Sequence, residues 1–260
     1  MTKLEKLKAD LRGLGELAVA FSGGADSSLL LRAAHDALGE RAIGITIRSP
    51  YMSSREIAEA VEFAHIYGIR HEILELGVAE EIKNNPENRC YLCKKAVFSR
   101  LIERARELGF SRVADGTNRD DLGEHRPGLK AKEELGVLSP LINLTKSEIR
   151  ELSRELSLPT AEKPSYACLL TRLPHGREID ESELNLIEAA ENLLIASGYA
   201  NVRARCDRKN IKLQMPFSSM RDFLNDAKFK SVVRQLVTLG AADVTLDLKG
   251  LREDVLHERG

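Results

Sequence analysis

Over the first 160 positions, short unbroken apolar runs alternate with stretches whose apolar residues recur at helical spacing. Residues 17–21 (LAVAF) form such a run, the pattern of a strand buried on both faces of a parallel sheet. Residues 28–38 follow, with Leu30, Leu31, Ala34 and Leu38 on one helical face. Residues 42–47 (AIGITI) read as a second strand. Residues 53–67 read as a helix that gathers Ile57, Ala60, Val61, Ala64 and Tyr67, and Ser53 and Glu56 at its head have the spacing of a capping box. A third strand is predicted over 72–76, a helix over 95–108 ending at Gly109, and a short fourth strand over 112–115. Thr145 and Glu148 repeat the capping-box spacing before a helix that runs through Leu156 and stops ahead of Pro159.

This alternation predicts an α/β fold, a parallel sheet with helices on both faces. Ligands of such sheets sit at the carboxyl ends of the strands, so the loops after Phe21, Ile47 and Asp115 are where chemistry is expected. Residues 159–179 have little regular pattern and carry Pro159, Pro164 and Pro174. Beyond them a smaller α+β domain is predicted: a helix over 183–195, strands over 202–206, 211–215 and 244–248, and a mostly helical 217–239. The expected division is 1–160 for the α/β domain, 161–182 for a cysteine-bearing connecting loop, and 183–260 for a substrate-binding or oligomerisation domain.

Composition narrows the classes. With 43% apolar and 30% charged residues the chain is globular and not a disordered tail. Its 39 basic and 40 acidic residues nearly cancel, so no global field draws it to nucleic acid, which is not the expected partner. No apolar stretch approaches the roughly 18 residues of a membrane span. The charged first 16 residues lack an apolar signal core, so a cytoplasmic protein with no membrane partner is expected. Four cysteines, Cys90, Cys93, Cys168 and Cys206, are too few for a secreted disulfide scaffold. In that compartment C-x-x-C points to metal or redox chemistry.

The strongest local signal is Ser22-Gly23-Gly24-Ala25-Asp26-Ser27-Ser28, directly after a buried strand and before a helix. Two glycines permit a tight bend that exposes successive N–H groups, and the helix N-terminus adds its positive dipole end. Serine hydroxyls supply more donors, so the loop is a cradle for phosphates. No G-x-x-x-x-G-K-[ST] occurs in the chain. A weak G-x-G-x-x-A (Gly13, Gly15, Ala18) precedes the first strand instead of following it, so a dinucleotide reading fails on context.

SGGADSS resembles the pyrophosphate loop of the N-type ATP pyrophosphatases, the PP-loop superfamily. Further motifs, in order, resemble the LarE family within it: Asn85-Pro86-x-x-Arg89-Cys90-Tyr91-x-Cys93-Lys94; Asp115-Gly116-Thr117-Asn118-x-x-Asp121; Arg126-Pro127-Gly128; Lys163-Pro164-x-x-Ala167-Cys168; and Arg172-x-Pro174-x-Gly176. The likeness continues through Val202-x-x-Arg205 and Val244–Gly250, departs from the family at Arg205-Cys206-Asp207, and covers nearly the whole chain. LarE proteins are ATP-dependent sulfur transferases of nickel-pincer cofactor synthesis. The resemblance implies the fold of an adenine nucleotide α-hydrolase and ATP, with Mg2+, as cosubstrate. It also implies adenylylation of a carboxylate of pyridinium-3,5-biscarboxylic acid mononucleotide and conversion of that carboxylate to a thiocarboxylate.

The resemblance further implies roles for particular residues. Residues 22–28 hold the pyrophosphate portion of ATP, and the loops at Thr46 and Gly116 meet adenine and ribose. In one LarE type a single cysteine surrenders its sulfur and becomes dehydroalanine, and Cys168 matches it. In another, three cysteines hold a 4Fe-4S cluster, which Cys90, Cys93 and Cys168 match. Structural zinc on the C-x-x-C, or a persulfide-handling pair, are the alternatives. Asp26 orients the loop or a Mg2+ ion, or is a plain helix cap. Arg203 and Arg205 share a strand face and, with Arg172, suit a phosphate monoester; a solvated charged face is the other reading of the pair. Arg177, Glu124 and Arg126 are further candidates, whereas His125 and His175 are assigned no role, and Cys206 reads as a structural thiol. A homo-oligomer, trimer or hexamer, and a cluster-loading or sulfur-supplying partner complete the expectation. A PP-loop tRNA thiolase and a nucleotide- and metal-binding module without catalysis are the rival readings.

Overall fold

The computed structural model describes residues 1–123 and 127–251, so Glu124, His125 and Arg126 lie outside the described residues. The chain divides into two compact units. One comprises Met1–Ile82 and Glu87–Tyr166; the other comprises Lys83–Pro86 and the chain from Ala167 onward.

The first unit runs α1 (Lys3–Leu14), β1 (Leu17–Ala20), α2 (Ala25–Leu38), β2 (Ala42–Arg48), α3 (Ser54–Ile66), β3 (His71–Glu75), α4 (Arg89–Glu107), β4 (Val113–Ala114), α5 (Pro127–Glu134) and α6 (Lys146–Glu155). Its four strands form a parallel sheet in the order β3-β2-β1-β4. Alternation along β1 sends side chains to two cores. Leu17 and Val19 pack in one with Leu11 of α1, Leu30 of α2, Phe63 of α3 and Ile149 of α6. Ala18 packs in the other with Ile43 and Ile45 of β2 and Leu101 and Ala105 of α4. The expected parallel sheet covered on both faces is therefore present.

Several boundaries differ from the sequence pattern. α2 begins at Ala25, three residues early, because Gly24 supplies an extended backbone N-cap that needs no side chain. α4 begins at Arg89, not 95, and its first turns carry Cys90 and Cys93. Periodicity missed them because only Arg89 is buried before Phe98. α5 was not anticipated. At Ser53 the N-cap backbone is extended, but its hydroxyl makes no capping bond; the capping box at Thr145 and Glu148 is complete.

The second unit contains α7 (Glu181–Ala196), β5 (Arg203–Asp207), β6 (Asn210–Gln214), α8 (Phe217–Asn225), α9 (Phe229–Thr238) and β7 (Asp243–Leu246). The predicted helical stretch 217–239 is thus two helices. The sheet order is β5-β6-β7; β5 and β6 form an antiparallel hairpin, and β6 pairs with β7 in parallel. Lys83–Pro86 is stitched into this unit by hydrogen bonds. Asn85, fully buried, donates Nδ2 to the Pro174 carbonyl at 2.7 Å; Gly176 N–H donates to Asn85 O at 3.1 Å; and Ile179 N–H donates to Lys83 O at 2.8 Å. Among the described residues no helix is long and apolar enough to cross a membrane.

Candidate active site

The seven-residue loop sits between the end of β1 and the first turn of α2, at the carboxyl edge of the sheet. Gly23 takes φ +70°, and a Cβ there would lie 3.1 Å from Ala60 Cβ and 3.2 Å from Glu56 O of α3. A side chain is excluded on both conformational and steric grounds. Ser22 Oγ and Ser27 Oγ lie 3.1 Å apart, and Ser27 Oγ donates to Gly24 O at 3.2 Å, so Ser27 closes the loop on itself. Ser28 is fully buried inside the helix, and its N–H donates to Gly24 O at 2.9 Å. Ala25 is likewise buried. The N–H groups of the first helical turn have no intrahelical acceptor, which makes this end an anion site.

Asp26 lies inside the helix, so it is not the cap. Its Oδ2 accepts from Lys146 Nζ of α6 at 2.5 Å, while Oδ1 is buried with no hydrogen-bond partner among the described residues. Gly116, just past β4, backs onto the same turn: a Cβ there would meet Ser27 N at 2.9 Å and Asp26 Cβ at 3.0 Å. Asp115 anchors that approach. It accepts from Thr117 N–H at 3.2 Å, Thr117 Oγ1 at 2.7 Å, Ser139 Oγ at 3.0 Å and the buried Lys132 ammonium. Burial works to raise the Asp115 pKa, but the charge and hydrogen bond of Lys132 and the bonds from Thr117 outweigh it and hold the carboxyl below its usual value.

Thr46 of β2 is buried. Its hydroxyl donates to Phe21 O at 2.7 Å and lies 2.8 Å from His71 Nε2, so it pins the root of the loop. Burial pushes the His71 pKa down, which favours the neutral ring; with Thr46 donating to Phe21, Nε2 is the donor to Thr46.

The four cysteines are thiols. Cys90 is exposed on the first turn of α4, one turn ahead of the half-buried Cys93, whose Sγ donates to the buried Tyr51 hydroxyl at 3.5 Å. Residues three apart on a helix share a face. Cys168, half-buried, belongs to the second unit and precedes a short 3-10 turn at Leu169–Arg172. Within either unit no three described His, Cys, Asp or Glu side chains lie together as a metal-binding group.

Arg172 is buried and spends its guanidinium on protein acceptors. Nε and Nη2 bind Glu191 of α7 at 2.9 and 3.2 Å, and Nη1 donates to Ala167 O at 2.9 Å and Thr171 Oγ1 at 2.7 Å. Arg203 and Arg205 stand half-buried on one face of β5, as alternation requires. Arg203 Nη1 donates to Val202 O at 2.9 Å, and Arg205 donates to Gln214 Oε1 at 2.6 Å and Thr171 O at 3.1 Å. Arg177 pairs with the buried Glu183, and His175 Nδ1 lies 3.3 Å from Pro86 O. Cys206 is buried, and burial with the neighbouring Glu183 carboxylate pushes its thiol pKa up to about 12, so it is a poor nucleophile. Sequence reasoning missed Lys132, Lys146, Tyr51 and Glu191, which reach the site residues only through the fold.

No protein-family model matches the chain. It is 36% identical to an uncharacterized protein of Synechocystis, over 98% of this chain and 97% of the relative. It is 34% identical to the pyridinium-3,5-bisthiocarboxylic acid mononucleotide synthase of Lactiplantibacillus plantarum, over 99% of this chain and 94% of that enzyme. A shorter similarity, 30% identity over 56% of this chain and 52% of the relative, links it to a tRNA-specific 2-thiouridylase of Caldanaerobacter subterraneus.

Proposed function

The chain belongs to the LarE family of sulfur-transferring PP-loop enzymes, and we propose that it adenylylates a carboxylate of pyridinium-3,5-biscarboxylic acid mononucleotide with ATP and converts it to a thiocarboxylate. The observation that carries this reading is the end-to-end similarity to a synthase named for that product. The chemistry is consistent with the loop. A carboxylate resists nucleophiles because of its negative charge. Attack of its oxygen on the α-phosphorus of ATP breaks the α–β bridge, attaches AMP to the carboxylate and expels pyrophosphate. The N–H groups at the start of α2 favour the anionic leaving group. A sulfur nucleophile then forms a C–S bond at the activated carbonyl carbon, and AMP leaves. Asp26 suits a Mg2+ ion among the phosphates, since its buried Oδ1 has no hydrogen-bond partner among the described residues.

For the sulfur, we propose a 4Fe-4S cluster on Cys90, Cys93 and Cys168, a reading supported by the chemistry of three soft thiols, two of them one helical turn apart on α4. Held by these three cysteines, such a cluster would supply sulfide-level sulfur for the transfer. Cys168 acting alone is the other route. Its thiolate would form a thioester with loss of AMP, and β-elimination would leave dehydroalanine and release the thiocarboxylate. Arg203 and Arg205 are the proposed partners of the substrate phosphate, beside a loop that Arg172 secures. A homo-oligomer, trimer or hexamer, and a sulfur-supplying partner belong to the same reading.

The decisive experiment incubates the anaerobically purified protein with ATP and the biscarboxylate mononucleotide, following pyrophosphate and the product mass. Exchange of one oxygen for sulfur, with pyrophosphate and AMP formed, supports the proposal. Pyrophosphate release that depends on tRNA instead would replace it with a tRNA thiolase. Iron and acid-labile sulfide contents then decide the sulfur route: an iron-free, active protein whose Cys168 loses hydrogen sulfide points to sacrifice.

A further inference from the structure

Lys163 has no assigned part in the reaction, yet its ammonium lies against the phosphate loop. Nζ donates to the Gly23 carbonyl at 2.9 Å and pairs with Glu56 Oε1 at 3.1 Å and Glu59 Oε2 at 2.5 Å, both of α3. Its side chain is only 12% exposed. An ammonium has three protons, and three acceptors take them. The backbone around Lys163 is itself fixed: its N–H donates to Thr160 O at 3.1 Å, and the adjacent Glu162 pairs with Arg150 and Arg154 of α6 at 3.2 and 2.7 Å.

The contact has a directional consequence. The Gly23–Gly24 peptide is planar and trans, so the Gly23 carbonyl and the Gly24 N–H point in opposite directions. Holding the oxygen against Lys163 aims that N–H away from α3. Gly23 has no side chain to resist a peptide rotation, and among the described residues the Gly24 N–H has only a long 3.4 Å bond, to the exposed Ser22 Oγ, which an arriving anion can replace. Lys163 also offsets Glu56 and Glu59, two carboxylates behind a loop that must accept phosphates.

We infer that Lys163 is a positioning residue: by holding the Gly23 carbonyl it orients the Gly24 N–H into the anion cradle. This deepens the PP-loop reading and rests on it. The group oriented here serves the pyrophosphate half of ATP and not its adenosine half, so loss of Lys163 strikes the two halves unequally.

The test measures calorimetric binding of inorganic pyrophosphate, ATP and AMP to the full chain and its variants, with a denaturant midpoint for each. Lys163→Met is expected to weaken pyrophosphate and ATP by about tenfold or more, the scale of one charge-assisted hydrogen bond, with AMP unchanged within about twofold. Lys163→Arg should recover most of the loss. The double variant Glu56→Gln, Glu59→Gln, which keeps the bond to Gly23, should stay within about threefold of wild type. Pyrophosphate binding by Lys163→Met within about twofold of wild type, or equal losses for pyrophosphate and AMP, would overturn the inference. Lys163→Gln, which retains an N–H donor without charge, serves the same comparison should the Met variant not fold. A wild-type protein that binds neither ATP nor pyrophosphate would instead sink the PP-loop reading itself.

Discussion

Arg172 and Glu191 form a buried, two-pronged ion pair, 2.9 Å between Nε and Oε1 and 3.2 Å between Nη2 and Oε2. Glu191 Oε1 also accepts the Ala204 N–H at 2.9 Å, which ties α7 to β5. The same guanidinium donates to the carbonyl of Ala167, the residue before Cys168. Removing one partner leaves an uncompensated buried charge, so Arg172→Ala should cost about 3–5 kcal/mol. Arg172→Lys keeps the charge but loses the fork and should fall between wild type and Ala. Urea denaturation midpoints decide this; a change within about 0.5 kcal/mol would show the pair to be unimportant.

At Gly116 the constraint is steric. An added Cβ would press on Ser27 N at 2.9 Å, a backbone atom that cannot swing aside. Gly116→Ala should therefore push the first turn of α2 or the loop after β4, destabilise by about 1–3 kcal/mol, and weaken ATP binding. Titration with ATP alongside a melt checks both. Unchanged ATP affinity in a well-folded Gly116→Ala protein contradicts the placement of nucleotide at this turn.

The cysteines should separate into two classes. Under the cluster reading, Cys90→Ala, Cys93→Ala and Cys168→Ala each lose iron and labile sulfide, whereas Cys206→Ala keeps them. Metal analysis of anaerobically reconstituted proteins reads this out. Under sacrifice by Cys168, only Cys168→Ala abolishes sulfur transfer, and iron is absent throughout. Zinc bound in a Cys90- and Cys93-dependent manner points to a structural site instead.

Cys206 has a pH signature of its own. Its thiol pKa rises from 9.0 to about 12 on folding. The folded state therefore retains a proton that the unfolded state gives up. The stability this provides is complete below about pH 9 and is lost as pH climbs toward about 12. The decline of the denaturation midpoint above pH 9 should be shallower in Cys206→Ala than in wild type. In native protein near pH 8, a thiol reagent should modify exposed Cys90 and spare Cys206. Equal rates at the two positions would contradict this.

Much of the sheet was legible because β1 and β2 are apolar on both faces, and the loop after β1 because glycines and serines between strand and helix have few other uses. The start of α4 was not legible: Cys90, Tyr91 and Cys93 belong to helical turns that bury almost nothing, so no period marks them. Nor were the lysines. Lys146 reaches Asp26 across 120 residues and Lys163 reaches Gly23 across 140, and separations of that size leave no trace in local pattern. Arg172 shows another limit. Its residue type suits a phosphate, but only the fold reveals Glu191 opposite it.

The four residues Lys83–Pro86 bear on the order of assembly. Asn85 finds its acceptor in Pro174, 89 positions later, so the second unit contains a piece synthesised well before the rest of it. As the chain emerges from the ribosome, that piece precedes its partners by the whole second half of the first unit, Glu87–Tyr166. A contact of such sequence separation closes late and slowly. A fragment beginning at Ala167 would lack the buried Asn85 altogether, so the second unit cannot be excised whole with a single cut.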